Sequence, residues 1–537
     1  MKHFWSGLAL AGSLAVVAVA AQAQEGRYIV KFNAGHGAAG RAALGVAGAQ
    51  VVLALDPQEA VAARIPAQAL AGLSRNPHIE YIEEDVPRYP LATWNDRVRG
   101  SGGEIVPYGV QMVQADRISV ANNSGMPKVC IIDSGYSAQH EDLRDQNTAP
   151  AISFSNNSGS GTWNQDSCGH GSHVAGTIQA IAGNNKGVVG VVQNVPLHIV
   201  KVFGNDALVD GGSCTWTYSS TLVDALNKCQ AAGAKVTSMS LGGGAKSRTE
   251  ENAFNNTYNQ GMLHVAAAGN DGNRLTSYPA GYAGVISVAA VDANETVADF
   301  SQQNKDVELA APGVGVLSTV PWLDYDALTF ADKSSVIGGH VEFSGRTSGI
   351  TAPLANGGLC DSVGSWSGKV VICQRGTISF FDKVTNAASG GAVAVVIYNN
   401  ATSDATCGDF SGTLGDGNSS SVPAITVSCQ EGTTALARVG QSGTVVSTFT
   451  APSSDYEAWN GTSMATPHVS GVAALVWGCF PTATNVQIRN ALDSSARDKG
   501  APGRDPAYGY GIVQAVDALQ ALGGTTLCSV TTSSIYP

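Results

Sequence analysis

Three residues of the kinds that make a charge-assisted nucleophile stand in apolar or glycine-rich surroundings. Asp133 ends the apolar run KVCIID, His170 lies between two glycines in DSCGHGSHVAGTI, and Ser463 lies in NGTSMATPHVSGVAALVW, residues 460–477. A carboxylate seldom ends a buried strand without a partner. An imidazole can take the proton of a serine hydroxyl while a carboxylate holds its tautomer and stabilises its cation. Each residue alone admits a plainer role: Asp133 as a helix cap, His170 as a structural histidine, Ser463 as an N-cap before an apolar helix. Their co-occurrence in the order Asp, His, Ser narrows the field. Pro467 is expected in or near the first turn of that helix, where fewer backbone donors have helical partners.

Such residues need a scaffold to bring them together. The 537-residue chain suggests roughly three to four domains, and its 44% hydrophobic content can build a large core. A net charge of −12 with no Lys/Arg run argues against a nucleic-acid partner. From Val106 to about Gly313, apolar strand runs alternate with helical segments: KVCIID, HVAGTIQAIAG, LHIVKVFG, STLVDALNKCQAAGA, KVTSMSLGG, MLHVAAAGN, VISVAAVD and VELAAPG. This alternation predicts a parallel sheet with helices on both faces. Sites in such sheets form at the carboxyl ends of strands, where Asp133 stands.

Residues 27–88 read as a smaller unit of their own, with strands in RYIVKF, AQVVLAL and IEYIEEDVP and a helix in AQALAGLSRNP. A linker, NDRVRGSGGEI at 95–105, follows and looks cleavable. Between about 318 and 455 the rhythm breaks. Strands are predicted at 368–374, 391–398 and 422–428 and a helix at 380–391, amid Ser-, Gly-, Thr- and Asn-rich stretches. This marks a small inserted domain. A last helical segment, GIVQAVDALQAL, follows.

The N-terminus, MKHFWSGLALAGSLAVVAVAAQAQ, has a basic start, an apolar middle and a small-x-small end, as a secretory signal peptide does. Ten cysteines in an exported chain imply disulfides. Neighbours in sequence favour Cys360–Cys373, Cys407–Cys429 and Cys479–Cys528, while Cys130 or Cys229 could be a buried free thiol.

DSG, HGSHVAGT and GTSMATPHVSG resemble the three signature motifs of the subtilisin-like serine proteases, in that family's chain order. The resemblance runs from residue 27 to about 524. It implies an α/β fold: a parallel-sheet subtilisin-like catalytic domain with helices on both faces, a small α+β propeptide, and an inserted β-rich protease-associated domain. The implied divisions are a signal peptide at 1–23 and a propeptide with linker at 24–103, folded over 27–88. The catalytic domain would occupy 104–317 and, with a C-terminal tail, 456–537, the insert filling 318–455.

By motif match Asp133 orients, His170 is general base then general acid, and Ser463 is the nucleophile. The residues alone do not choose His170 over His173; the resemblance selects the first His of HGxH and leaves His173 and His468 structural. AAAGND, 266–271, matches the family's oxyanion element, which makes Asn270 the side-chain donor. SMSLGGG, 238–244, resembles the strand that pairs with an extended substrate, so Ser240, Leu241 and Gly242 would bind its backbone. Ala267, Ala268 and Gly269 leave room for a large apolar side chain, with Ser277 near the floor; Asp271 would add tolerance for basic ones. HEDL, 140–143, resembles the family's HPDL, whose Asp binds calcium, so Asp142 would hold a structural calcium. The accompanying loop, 183–191, is one residue shorter than in the best-known members.

The resemblance thus implies a secreted, extracellular, monomeric serine endopeptidase acting on proteins or peptides. Its own propeptide would inhibit it; no catalytic cofactor, nucleic acid or, after signal removal, membrane would be involved. The insert reads equally as a lid or docking module and as a spacer. The rivals are a catalytically silent peptide-binding protein on the same scaffold and a non-peptidase serine hydrolase. The GTSMA surroundings of Ser463 lack the GxSxG elbow of many of the latter.

Overall fold

The computed structural model describes residues 25–91, 103–120, 125–144, 149–156, 162–166, 168–204, 216–321, 323–400, 407–408, 410, 412–415, 418–450, 456–524 and 527–536. The chain forms two compact units, divided after Asp85. The predicted signal segment and linker residues 92–102 lie outside the described residues.

In the first unit four antiparallel strands run in the order Gln50–Leu55, Ala60–Pro66, Glu25–Phe32 and Ile79–Glu84. Their period-two pattern turns Val30, Phe32, Val61, Ala63 and Ile65 inward. Leu44 of helix Gly37–Val46 and Leu73 of helix Ala67–Leu73 complete the core. The central strand Ala60–Pro66 is absent from the sequence expectations, because its alanines carry little strand propensity.

The second unit is built on a seven-stranded parallel sheet. Its order is Val307–Pro312, Val285–Val291, Leu263–Ala267, Val236–Met239, Val129–Asp133, Leu197–Lys201 and Ser153–Ser155. Every residue of the strand Val129–Asp133 is buried, as a strand covered on both faces requires. Val129, Ile131, Leu263 and Val265 pack into one core with Val174 and Ile178 of helix His170–Gln179 and Val469 and Val472 of helix Thr462–Cys479. The alternate residues face the other way. Cys130 is disulfide-bonded to Cys229 of helix Ser219–Ala231, and His264 meets Thr257 of helix Arg248–Asn259. Helices therefore cover both faces.

The chain passes from Val129–Asp133 to strands on one side, then returns to Val236–Met239 on the other. That reversal opens a crevice at the carboxyl ends of these strands.

His264 is buried between the hydroxyls of Thr237, 2.8 Å from Nδ1, and Thr257, 3.0 Å from Nε2. Burial pushes its imidazole down to about 3. Its folded value lies below the unfolded one, so its contribution is present above pH 6.5 and lost as pH falls toward 3. The stability advantage of wild type over His264→Gln is expected to shrink by about 1.4 kcal/mol for each pH unit below 6.5. Urea melts between pH 7 and 4 would check this.

The insert carries one eight-stranded sheet, in the order Leu323–Phe330, Ser442–Thr450, Thr347–Gly358, Val370–Gln374, Ala394–Tyr398, Ala424–Val427, Ser335–Glu342 and Gly412–Thr413. A further pairing of Leu323–Phe330 with Ser335–Glu342 curls it back on itself. Two apolar clusters fill it. Chain enters and leaves through one antiparallel pair, Val316–Thr319 with Tyr456–Trp459. The three expected strands and the helix, Phe380–Ser389, are present within a few residues of the predicted bounds.

The disulfides Cys360–Cys373, Cys407–Cys429 and Cys479–Cys528 are as the spacing favours. The reading of Cys130 or Cys229 as a free thiol is corrected: they bond to each other. Inward-facing Cys130 on its strand meets the buried face of the covering helix. Cys168 is also disulfide-bonded, and Cys214 lies outside the described residues.

Candidate active site

Asp133 is the last residue of its buried strand, and His170 is the first of its helix. His170 Nδ1 lies 2.6 Å from Asp133 Oδ1, the same oxygen that accepts from the Ser134 backbone N–H at 2.7 Å. The loops bearing the two residues touch backbone to backbone. A Cβ on Gly171 would stand 2.2 Å from the Gly135 carbonyl oxygen, so only glycine fits. Asp166, not singled out from sequence, ties them. Its Oδ1 accepts from Ser134 Oγ at 2.7 Å and Gly169 N at 3.0 Å; its Oδ2 accepts from Ser172 N at 2.8 Å and Ser172 Oγ at 2.7 Å. Ser134 Oγ in turn accepts from Gly171 N at 2.8 Å. The clue was a carboxylate four residues before His170, in QDSCGH.

Burial disfavours the charged form of His170, but the charge and hydrogen bond of Asp133, with Asp166 behind, outweigh it and raise its pKa. Its Nε2 has no hydrogen-bond partner among the described residues. His173 is also buried. Its Nε2 lies 2.9 Å from the Glu457 carbonyl, its ring stacks on Trp459 at 4.5 Å, and burial pushes its pKa down to about 3. His468 sits 2.8 Å from the Met464 carbonyl and falls to about 4, again through burial.

Ser463 is the second residue of helix Thr462–Cys479, every residue of which is buried. Pro467 is the sixth, beyond the first turn, which corrects the expectation for it. A proline there offers no N–H to the carbonyl four residues back, that of Ser463. Ser240 fills the gap: its hydroxyl donates to the Ser463 carbonyl at 2.7 Å, and Ser463 Oγ donates to the Ser240 carbonyl at 2.9 Å. The proline thus frees an acceptor that docks the residue after strand Val236–Met239 onto the helix start. Ser240→Ala should leave that buried carbonyl unpaired and cost about 1–3 kcal/mol of stability, measurable in denaturant.

The crevice is filled by the chain's own residues 87–91. Strand Pro87–Pro90 lies between Leu241–Gly242 and Thr217–Tyr218, antiparallel to both. Leu241 and Gly242 are where sequence placed the substrate strand; Thr217–Tyr218, the second wall, was missed, being only two residues long. Leu91 N donates to the Ser240 carbonyl at 3.3 Å. The Leu91 carbonyl oxygen accepts from Asn270 Nδ2 at 2.6 Å and from the Ser463 backbone N–H at 3.3 Å. Thr462 fixes the Asn270 amide, donating to its Oδ1 from N at 2.9 Å and from Oγ1 at 2.7 Å. A Cβ on Gly242 would meet Ser277 Oγ at 2.3 Å and Leu91 Cδ1 at 2.9 Å, so the leucine side chain lies beside Gly242 and near Ser277. Ala268 is buried, Gly269 N donates to Thr462 Oγ1 at 3.3 Å, and Asp271 is exposed.

The expected calcium ligand, Asp142, is bonded to its loop. Its Oδ1 accepts from Asn184 Nδ2 at 2.7 Å and its Oδ2 from Val188 N at 2.9 Å. Asn184 turns its amide nitrogen to the carboxylate, and burial pushes Asp142 up to about 7. The charges of Glu104 and Glu141 add to the rise, and Glu104 Oε1 accepts from Gly183 N at 2.7 Å and Asn184 N at 3.2 Å on the same loop. No group of three or more His, Cys, Asp or Glu suited to a metal occurs among the described residues.

The family model described as "Subtilase family" matches residues 125–333 and 383–511. Subtilisin DY of Bacillus licheniformis is 38% identical over 237 residues, 43% of this chain and 81% of that protein. Thermitase of Thermoactinomyces vulgaris is 33% identical over 255 residues, 46% of this chain and 87% of that protein. Fervidolysin from Fervidobacterium pennivorans, a keratinolytic enzyme related to subtilisin, has a solved structure that matches 93% of this chain and 62% of its own, with 23% identity and a TM-score of 0.57. That likeness speaks for the fold. The family match spans both the sheet and the Ser463 helix, and these two relatives are matched over more than four-fifths of their length, so this chain belongs to the subtilase family and is a serine endopeptidase.

Proposed function

We propose that this chain is a secreted precursor that cuts itself between Leu91 and Ala92 and then acts as an endopeptidase through Ser463. The observation that carries the reading is the Leu91 carbonyl, held by two donors beside the serine. That is where the acyl group of a substrate belongs. In the reaction Ser463 Oγ leaves the Ser240 carbonyl and attacks the Leu91 carbonyl carbon, while His170 Nε2 takes its proton. The Leu91–Ala92 C–N bond breaks, His170 returns the proton to the departing Ala92 amine, and water releases Leu91 by the reverse proton route. Asp133 holds the imidazole by Nδ1, which leaves Nε2, unpartnered among the described residues, to act as the base.

After cleavage, residues 87–91 act as a product held on both edges by strands, which supports the propeptide as an inhibitor. No cofactor takes part in the catalytic steps; a structural calcium would be held at the loop where Asp142 and Asn184 meet. A silent peptide-binding scaffold would hold the same segment without cutting it.

Sequencing the N-terminus of the protein recovered from culture medium distinguishes these readings. A mature chain that begins at Ala92 is expected. A chain with the Leu91–Ala92 bond intact and full activity would sink the self-processing claim. Release of a chain that still carries residues 1–23 would remove the signal peptide.

A further inference from the structure

Counting back from the proposed cleaved bond, Leu91 is first and Arg88 is fourth. Arg88 has no solvent exposure, and neither has its partner Glu250. The guanidinium meets the carboxylate as a two-pronged fork: Nε donates to Oε1 at 3.0 Å, and a terminal nitrogen donates to Oε2. Tyr282 adds its hydroxyl to Glu250 Oε2 at 2.6 Å. The other terminal nitrogen of Arg88 donates to the Pro87 carbonyl at 2.8 Å, and a Cβ on Gly243 would come 3.2 Å from that nitrogen. The pocket is therefore closed by fixed groups. Glu250 is the third residue of helix Arg248–Asn259, whose N-cap Ser247 accepts its backbone N–H at 3.2 Å. Burial disfavours the Arg88 charge, but Glu250 outweighs it and raises its pKa; burial and the Glu250 charge raise that of Tyr282.

Segment 87–91 leaves the cleft when the precursor matures, but Glu250 stays in its helix. An arginine at the same place in an incoming peptide would remake the buried pair that Arg88 forms there. A planar fork suits arginine better than lysine.

We propose that Glu250, with Tyr282, forms a specificity pocket that selects peptides with arginine at the fourth residue before the cleaved bond. The proposal rests on the reading of Leu91 as the acyl residue. It deepens that reading by naming the substrate class: extended, basic segments of the type Arg-Tyr-Pro-Leu. The acidic net charge of the chain would draw such peptides in.

The test uses the mature enzyme and acetyl-Xaa-Tyr-Pro-Leu-p-nitroanilides with arginine, lysine, norleucine or glutamate at Xaa. Arginine is expected to exceed norleucine by about 100-fold in kcat/KM, with lysine between and glutamate lowest. In Glu250→Gln the arginine advantage should fall to within about threefold. The free acid acetyl-Arg-Tyr-Pro-Leu should inhibit wild type about 100-fold more tightly than its norleucine analogue, which decides the matter without a variant. Brisk hydrolysis of all four peptides within about threefold of one another overturns the pocket and leaves the endopeptidase intact. No hydrolysis of any peptide or of casein overturns the proposed function, and the pocket with it.

Discussion

Ser463→Ala is expected to accumulate as uncut precursor and to lose casein hydrolysis by on the order of 10⁶-fold, the loss known for the serine of subtilisin and carried over to this chain. The lost hydroxyl is the group that attacks, and no neighbouring side chain can take its place at the Leu91 carbonyl. The fold should survive. The Ser463 backbone N–H and carbonyl keep their partners, and only the bond from Oγ to the Ser240 carbonyl goes. That carbonyl still receives Leu91 N. Stability should therefore change by no more than about 1 kcal/mol. Mass spectrometry of the secreted product and a casein assay would check both halves. More than about 1% residual activity in a folded variant would remove Ser463 as the nucleophile.

The second large effect is at Asn270. Asn270→Ala should lower kcat by about 10²–10³, again the scale of the matching subtilisin residue, with KM little changed. The reason lies in when the bond matters most. The amide already touches the Leu91 carbonyl at 2.6 Å, but its value rises as negative charge develops on that oxygen. Thr462 positions the amide through two bonds, so Thr462→Val, which removes the hydroxyl bond and keeps the backbone one, should reproduce part of the loss by loosening Asn270. Steady-state kinetics on one peptide would separate the terms. A rise in KM with kcat unchanged would make Asn270 a mere binding contact.

What could be read in advance follows the range over which each signal is written. Asp133, His170, Ser463 and Asn270 sit in short motifs whose neighbours announce them, and the sheet strands are continuous apolar runs. The pair Arg88–Glu250 spans 162 positions, and nothing beside either residue tells of the other. Arg88 did carry a faint mark. In VPRYPL two prolines hold the backbone extended, as a bound peptide must be. Of the strands at 323–358, Thr347–Gly358 was missed because Ser, Gly and Thr fill half of it; sheet pairing and the insert's own core hold it more than propensity does. Pro467 was misplaced because the helix already begins at Thr462; the hydroxyl that meets the carbonyl it leaves free belongs to Ser240, far away in sequence.

The neck of the insert bears on how the chain folds and how it can change. Thr319 and Tyr456 face each other in one antiparallel pair, so residues 320–455 amount to a single long loop between fixed ends. Closure entropy grows only with the logarithm of loop length. Lengthening a short turn to this excursion is about five doublings, or about 3 kcal/mol, which apolar clusters within the insert can offset. The catalytic sheet can thus form without waiting for the insert, and the insert can be lost, lengthened or exchanged at little cost to the register of the pair. The exception is the return strand. It ends at Trp459, stacked on His173 and four residues before Ser463, so a graft that shifts this strand by one residue would turn the indole away and reach the nucleophile.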